Sequence, residues 1–128
     1  DPRADILRAL QPNATDLLRV AYQHMAEICR ENEIRPVWVF MPLVRTKLVL
    51  QASEVNAPIV REAGFSTIVL DNAYGGLKPE EIKISQNDYH PNNLGHRHVA
   101  RRLLERMKEQ REELGLPEQF DSAAPIEP

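Results

Sequence analysis

The spacing of apolar residues changes along this chain, and each change predicts a different structural element. From residue 16 to about residue 32, apolar residues recur every three or four positions, the period of one face of an amphipathic helix that Thr15 or Asp16 can cap. That apolar stripe consists of Leu17, Leu18, Ala21, Met25 and Ile28. Two short apolar runs, residues 37–41 and 67–70, contain no polar alternation. They are typical of strands that are covered on both faces, as in a parallel sheet.

Turn-forming residues divide the rest of the chain. Pro58 suits the first turn of a short helix and Gly64 its end. Residues 71–85 contain a Gly-Gly pair, a Pro and mixed charges, which favours a loop. A long helix is predicted from about Asn93 to Leu114, closed by Gly115. The order helix, strand, helix, strand, helix indicates an α/β fold with parallel strands.

Two predicted strands make a poor sheet by themselves, so further structure should extend or cover them. The chain also begins with Asp1-Pro2-Arg3 rather than with Met. We therefore expect residues 1–15 to be a lead-in, residues 16–115 to be the C-terminal part of a larger α/β domain, and residues 116–128 to be a flexible tail.

Composition narrows the functional classes. The chain has 128 residues, 42% of them hydrophobic and 27% charged, with a net charge of −3, which suits one soluble globular domain. No basic block stands out, which argues against a nucleic-acid partner, and no apolar run approaches the ~20 residues of a membrane span. Cys29 is the single cysteine, so the localisation stays open between cytoplasmic and extracytoplasmic.

The segment "NDYHPNNLGHRHVA" holds three of the four histidines. Pro91 disfavours the helical region for the residue before it, so His90 should be extended. Side chains two positions apart in an extended segment point to the same side, which allows Asp88 to reach the His90 imidazole. An acid in that position fixes the tautomer and leaves the other ring nitrogen free as a base. The spacing therefore permits a pre-oriented general base.

Two other interpretations of this segment are a metal site and an ordinary helix start. His96 and His98 would lie about 200° apart around a helix, so they cannot both face one ion with Asp88 and His90. No H-E-x-x-H motif or cysteine pair supports a metal site. We expect His96 to pack near the helix start and His98 to face solvent. In the remaining interpretation, Asp88 caps a turn or Asn92 caps the helix, and His90 is solvated in a surface loop.

The block "DYHPNNLGHRHVARRLL" resembles the last conserved block of the SGNH (GDSL-type) hydrolases, a family of serine esterases and acyl hydrolases. The upstream order of elements is also similar, including "VWVFMPL" and "TIVLD", and the resemblance extends over residues 17–107. It implies a three-layer, parallel-sheet, flavodoxin-like α/β fold of which this chain supplies the C-terminal part. It also implies that His90 is the general base and Asp88 its orienting acid, with no cofactor and no metal. Many members place the acid three positions before the histidine, where this chain has Asn87.

The other catalytic blocks of that family have no match here. No Gly-Asp-Ser nucleophile motif is present, and Gly75, Gly76 and Asn72 come too late in the order to be oxyanion donors. The four serines, Ser53, Ser66, Ser85 and Ser122, have no nucleophile context. We therefore expect the serine nucleophile to lie in a missing N-terminal half. That half, or another chain, should cover the sheet, and the substrate of a catalytic protein would be a small ester. Alone, the chain should be inactive, and a non-catalytic scaffold or interaction subunit is the alternative.

Overall fold

The protein is described by a computed structural model that covers residue 5, residues 11–44 and residues 48–127. Its helices and strands are α1 (Ala14–Glu31), β1 (Val37–Phe40), α2 (Leu48–Glu62), β2 (Ser66–Val69), α3 (Pro79–Ile82), α4 (Asn93–Glu109) and α5 (Arg111–Leu114). Two 3₁₀ helices, Gln11–Asn13 and Glu118–Ser122, precede α1 and follow α5. No helix within the described residues is long and apolar enough to cross a membrane.

The two strands form a parallel pair, which confirms the predicted α/β class. Val37 pairs with Ser66 and Phe40 with Val69, and α2 is the crossover between the strands. Helices lie on both faces of this pair. Trp38 on one face donates a hydrogen bond to Tyr22 of α1 (Nε1 to hydroxyl oxygen, 3.2 Å). Ile68 on the opposite face packs in a cluster with α4 and α5.

That cluster is a hydrophobic core within the described residues. It consists of Ile68, Leu70, Ala73, Val99 and Leu114, with Tyr74, Leu103, Met107 and Leu116 packed at its margin. Burying one aliphatic side chain of this size stabilises a fold by about 1.5–3 kcal/mol. The cluster therefore fixes α4 against β2, and with it the start of α4.

The observed bounds correct several predictions. Pro58 lies inside α2 rather than in its first turn, although proline removes a helical hydrogen bond. The neighbouring side chains Ala57, Ile59 and Val60 are buried, so packing outweighs that cost. Gly64 follows α2 with φ 103°, as expected for a helix end.

The long C-terminal helix is also shorter than predicted. It ends at Glu109, and a separate turn, α5, follows Gln110 and is closed by Gly115 at φ 65°. Part of the predicted loop 71–85 forms the one-turn helix α3, which starts with Pro79. Residues of the predicted tail contact α4, since Lys108 Nζ donates to the carbonyl oxygens of Asp121 (3.0 Å) and Ala123 (2.7 Å).

Burial of α1 and β1 differs most from expectation. Ala26 is the buried residue of α1, with Tyr22 and Cys29 half-buried beside it. The predicted apolar stripe is instead exposed, including Met25 and Ile28. In β1, Val37 and Val39 keep 40% and 41% of their surface exposed. The prediction that both strands are covered on both faces is therefore wrong for β1, while Thr67 and Ile68 of β2 are buried.

The outer edge of β2 is closed by side chains of α4 and of Gln110, the residue that follows it. Gln110 Nε2 donates to the carbonyl oxygen of Thr67 (3.3 Å), and Arg106 Nε donates to that of Val69 (3.4 Å). Arg102 Nε donates to the carbonyl oxygen of Asp71 (3.3 Å). The three donors are four residues apart along the helix, which is a rise of about 6 Å. The three carbonyl acceptors are two residues apart along the strand, which is about 6.6 Å, so the two spacings match. This edge is therefore blocked against a further strand.

Candidate active site

A short antiparallel pairing holds the segment that carries Asp88 and His90. The Ile84 N–H donates to the His90 carbonyl oxygen (3.0 Å), and the Asn92 N–H donates to the Ile82 carbonyl oxygen (2.7 Å). Lys83 and Pro91 form the bridge between these bonds. Residues 82–84 and 90–92 thus form a clip that closes the loop 85–89.

Asn92 connects this clip to the start of α4. Its side-chain oxygen accepts a hydrogen bond from the Gly95 N–H (3.0 Å), which is the cap expected in the interpretation of this segment as an ordinary helix start. Its side-chain Nδ2 donates to the carbonyl oxygens of Glu81 (2.9 Å) and Lys83 (3.3 Å). One amide side chain therefore joins α3, the clip and α4.

Gly95 is needed because the clip lies against α4 at that position. A Cβ atom at Gly95 would be 2.7 Å from Pro91 Cβ and 2.9 Å from the Ile82 carbonyl oxygen. These separations are shorter than van der Waals contact, so only glycine permits this approach. The family resemblance includes Gly95, and the structure supplies the physical reason that the sequence alone did not.

Within the loop, Asp88 and His90 make the predicted contact. Asp88 Oδ1 lies 2.6 Å from His90 Nδ1 and also accepts the His90 backbone N–H at 3.0 Å. An ionised carboxylate can only accept, so Nδ1 carries the proton and Nε2 of the neutral ring has a free lone pair. The contact is confirmed, and the catalytic role of the pair stays a prediction.

The same two bonds change the acidity of Asp88. The hydrogen bond from the His90 backbone N–H, and next the bond with the His90 ring, lower the pKa of Asp88 below its ordinary value of 3.8. Desolvation opposes the shift and does not reverse it. The carboxylate therefore stays ionised, and able to orient the imidazole, throughout the neutral and mildly acidic range.

The pair lies at the carboxyl end of the sheet. The Val44 N–H donates to the Tyr89 carbonyl oxygen (3.0 Å), which ties the loop to the chain that leaves β1. This is the edge at which open parallel sheets bind their ligands. The side chains of His90 and Asp88 are 69% and 42% exposed, and no residue within the described ranges hydrogen-bonds His90 Nε2.

An open groove of about 500 Å³ lies directly beside this loop. It is lined by Ile84, Pro91, Asn92, Asn93, Leu94 and His96. Pro91, which lines this groove, is the residue directly after His90. A molecule bound in the groove would therefore lie close to the loop.

The positions of His96 and His98 are the reverse of the prediction. His98 is buried, at 9% exposure, and its Nδ1 accepts a hydrogen bond from Arg101 Nη2 (3.2 Å), whereas His96 is exposed. The inward face of α4 contains Gly95, His98 and Val99. That spacing of three and four residues was readable in the sequence and should have placed His98 inside. Among the described residues, no group of three or more His, Cys, Asp or Glu side chains could hold a metal ion.

The described residues supply no nucleophile to His90. Ser66, Ser85 and Ser122 are described in full, and none hydrogen-bonds the imidazole. The side chain of Ser53 lies outside the described residues. Asn72, Gly75 and Gly76 form a turn with positive φ angles, and Gly75 lies against His98 rather than beside Asp88 and His90.

Comparison with protein-family models, curated proteins and solved structures found no match for this chain. Assignment of a function consequently depends on the geometry of the loop and on the resemblance of its motif.

Replacing Gly95 with Ala should destabilise the fold despite the higher helix propensity of alanine. That propensity favours Ala by about 1 kcal/mol, whereas overpacking against backbone typically costs about 1–3 kcal/mol. We expect a lower free energy of unfolding in urea and a weaker Asp88–His90 contact. His96→Ala, at the exposed neighbouring position, is the control and should change stability by less than about 0.5 kcal/mol. Gly95→Ala as stable as His96→Ala would contradict the close approach.

The pKa of Asp88, followed by NMR of its carboxyl carbon, should lie below 3.8. Since the folded pKa is lowered, the contribution of Asp88 to stability is present above its unfolded pKa and is lost as pH falls through the folded value. His90→Ala keeps the backbone N–H bond and removes the ring bond, so the pKa should rise only part of the way to 3.8. An unshifted pKa in the unsubstituted chain would show that the two bonds do not form in solution.

Proposed function

We propose that this chain is the C-terminal part of an SGNH-type serine ester hydrolase, in which His90 is the general base and Asp88 orients it. The observation that carries the proposal is the 2.6 Å contact between Asp88 Oδ1 and His90 Nδ1, which leaves Nε2 of an exposed side chain without a hydrogen-bond partner among the described residues. The motif over residues 88–96 adds support, because its proline and asparagine lie in the clip and its glycine allows α4 to pack against the clip. The complete fold would be the three-layer, flavodoxin-like arrangement of that family.

In this mechanism His90 Nε2 accepts the proton of a serine hydroxyl as the serine oxygen attacks the ester carbonyl carbon. The Asp88 carboxylate stabilises the imidazolium that forms and keeps the ring in place. His90 then returns the proton to the leaving alcohol, and a water molecule releases the acyl group by the same two steps. The groove beside Pro91 is where part of a small ester would lie.

The serine and the oxyanion donors must come from another part of the protein or from another chain. The exposure of His90 and Asp88 supports the existence of such a part. A catalytic pair needs a surface that covers it and excludes water from the reaction. The exposed apolar residues of α1 and β1 give further support, since they would be buried by the same partner.

The alternative is a non-catalytic SGNH-like scaffold or interaction subunit. The exposure of the two side chains also favours this reading, because an ordinary helix-start loop would leave its histidine in solvent. In that case the Asp88–His90 contact would only help to order the loop.

Hydrolysis of a short-chain chromogenic ester by the complete gene product tests the proposal. His90→Ala should lower turnover by about 10⁴-fold or more, and Asp88→Asn by on the order of 10⁴-fold through the wrong tautomer. Glu113→Ala is the control and should keep activity, because its side chain is exposed on α5 and lies outside both the loop and the groove. His98→Ala is unsuitable as a control, since it would empty a buried site.

Residues 1–128 alone should show no hydrolysis above background, because the base has no nucleophile to activate. Equal activity of the His90→Ala and Glu113→Ala proteins would overturn the catalytic assignment. An unsubstituted complete protein without hydrolysis of any short-chain ester would favour the scaffold.

A further inference from the structure

The outer edge of β1 is open, in contrast to that of β2. The carbonyl oxygens of Pro36 and Phe40 accept the N–H groups of Ser66 (3.1 Å) and Leu70 (3.0 Å). Backbone groups alternate in direction along a strand, so those of Val37, Val39 and Met41 point away from β2. Within residues 11–44 and 48–127, no strand pairs with that edge.

Because one edge of the sheet is blocked and the other is open, a further strand can pair at one edge only. Gln110, Arg106 and Arg102 occupy the carbonyl groups along β2, so a strand cannot add there without displacing three side chains. The run of β1, "VWVF", contains no charge and no proline, the devices that protect solvent-exposed edges. An additional strand therefore fits beside β1 only.

Apolar surface adjoins the open edge on both faces of the sheet. On the face that carries Ile68, the side chains of Val37, Val39 and Met41 are 40%, 41% and 41% exposed. The clustered core covers β2 on this face and stops short of β1. A partner that seats beside β1 must therefore also cover these three side chains.

On the opposite face, the exposed stripe of α1 lies on the side of the open edge. Helix α2 contacts β2 through Arg61 and Thr67 (Nε to Oγ1, 2.8 Å), and α1 contacts β1 through Tyr22. The ion pair of Arg19 Nε with Glu62 (3.8 Å) marks the side of α1 that faces α2. At 100° per residue, the stripe lies about 100–180° around α1 from Arg19, and so faces away from α2.

A second copy of this chain would cover only part of that surface. Two β1 edges related by a twofold axis pair antiparallel and bring both α1 helices to the same face. The two α1 stripes would then meet, but α4 of each copy would stay at the far margin of the sheet. Val37, Val39 and Met41 of both copies would remain in solvent.

We propose that the outer edge of β1 binds a strand–helix unit belonging to the part of the protein that supplies the nucleophile. Its strand bonds the free backbone groups of Val37, Val39 and Met41. Its helix covers their side chains on the Ile68 face, and its remaining apolar surface meets the α1 stripe. The identity of this partner rests on the proposed function, whereas the binding edge itself does not depend on catalysis.

Amide hydrogen exchange at the residues of β1 tests the proposal. In residues 1–128 alone, the amides of Val37, Val39 and Met41 should exchange fast, and those of Trp38 and Phe40, which face β2, should be protected. In the complete gene product the three outer amides should slow by about 100-fold or more, because a docked strand bonds them. Equally fast exchange in both proteins would overturn the proposal. Protection in residues 1–128 that grows with protein concentration would overturn it in favour of a second copy.

A matched pair of substitutions locates the docking surface. Val39→Lys places an unpaired charge in the proposed interface and should reduce the added protection of the Val37 amide about 10-fold or more. Val55→Lys makes the same change at an exposed position of α2 and should leave that protection unchanged. Trp38 exchange reports in each variant whether β1 and β2 still pair. Equal protection in the two variants would refute the docking surface.

The outcomes for docking and for catalysis are separable. Protection of the outer β1 amides without ester hydrolysis would retain the binding edge and reject the hydrolase. Hydrolysis without protection would retain the hydrolase and reject the binding edge.

Discussion

The contact of Gly95 with Pro91 and with the Ile82 backbone is the constraint on which the candidate site depends. Because α4 begins against the clip, a Cβ atom at residue 95 would be 2.7 Å from its nearest neighbour, and the clip could not close. Closure of the clip fixes His90 at one end of a loop whose other end is Ile84. Asp88, two residues before His90, then needs no long-range partner to reach the imidazole. The geometry of the dyad is thus a local consequence of backbone packing at the start of one helix.

The helix that begins at this constraint also determines how the sheet can be extended. The core-facing residues of α4 pack on β2. The arginines of α4 extend past β2 and donate to the carbonyl groups along the outer edge of that strand. The same helix therefore positions the dyad, buries one strand and closes one edge. Helix α4 does not cover the outer edge of β1 or the two valines of that strand. A nucleophile-bearing partner is proposed to attach on this side. Catalysis and assembly would consequently meet at the carboxyl end of β1.

Local rules predicted the parts of this structure that depend on neighbouring residues. The contact of Asp88 with His90, the cap at Asn92 and the left-handed residue at Gly115 all follow from preferences within a few positions. The parallel pairing of the two strands followed from their apolar runs and from the helix between them. These features could be predicted because the residues that interact to produce them are close together in the sequence.

Features set by distant packing were predicted less well. Pro58 was assigned to a helix start because proline is intrinsically unfavourable in a helix interior, but the buried residues around it override that preference. Periodicity located an apolar stripe on α1 without revealing whether anything covers it, and the helix packs through Ala26 instead. His98 was predicted to face solvent, although its spacing from Gly95 and Val99 puts it on the buried face of α4.

The tautomer of His90 tests the central claim most directly, since a base oriented by Asp88 must carry its proton on Nδ1. Nitrogen-15 NMR of the neutral imidazole should show a protonated Nδ1 and an unprotonated Nε2, and Asp88→Asn should remove that preference. A neutral His90 that carries its proton on Nε2, or that populates both tautomers equally in the unsubstituted protein, would contradict the account.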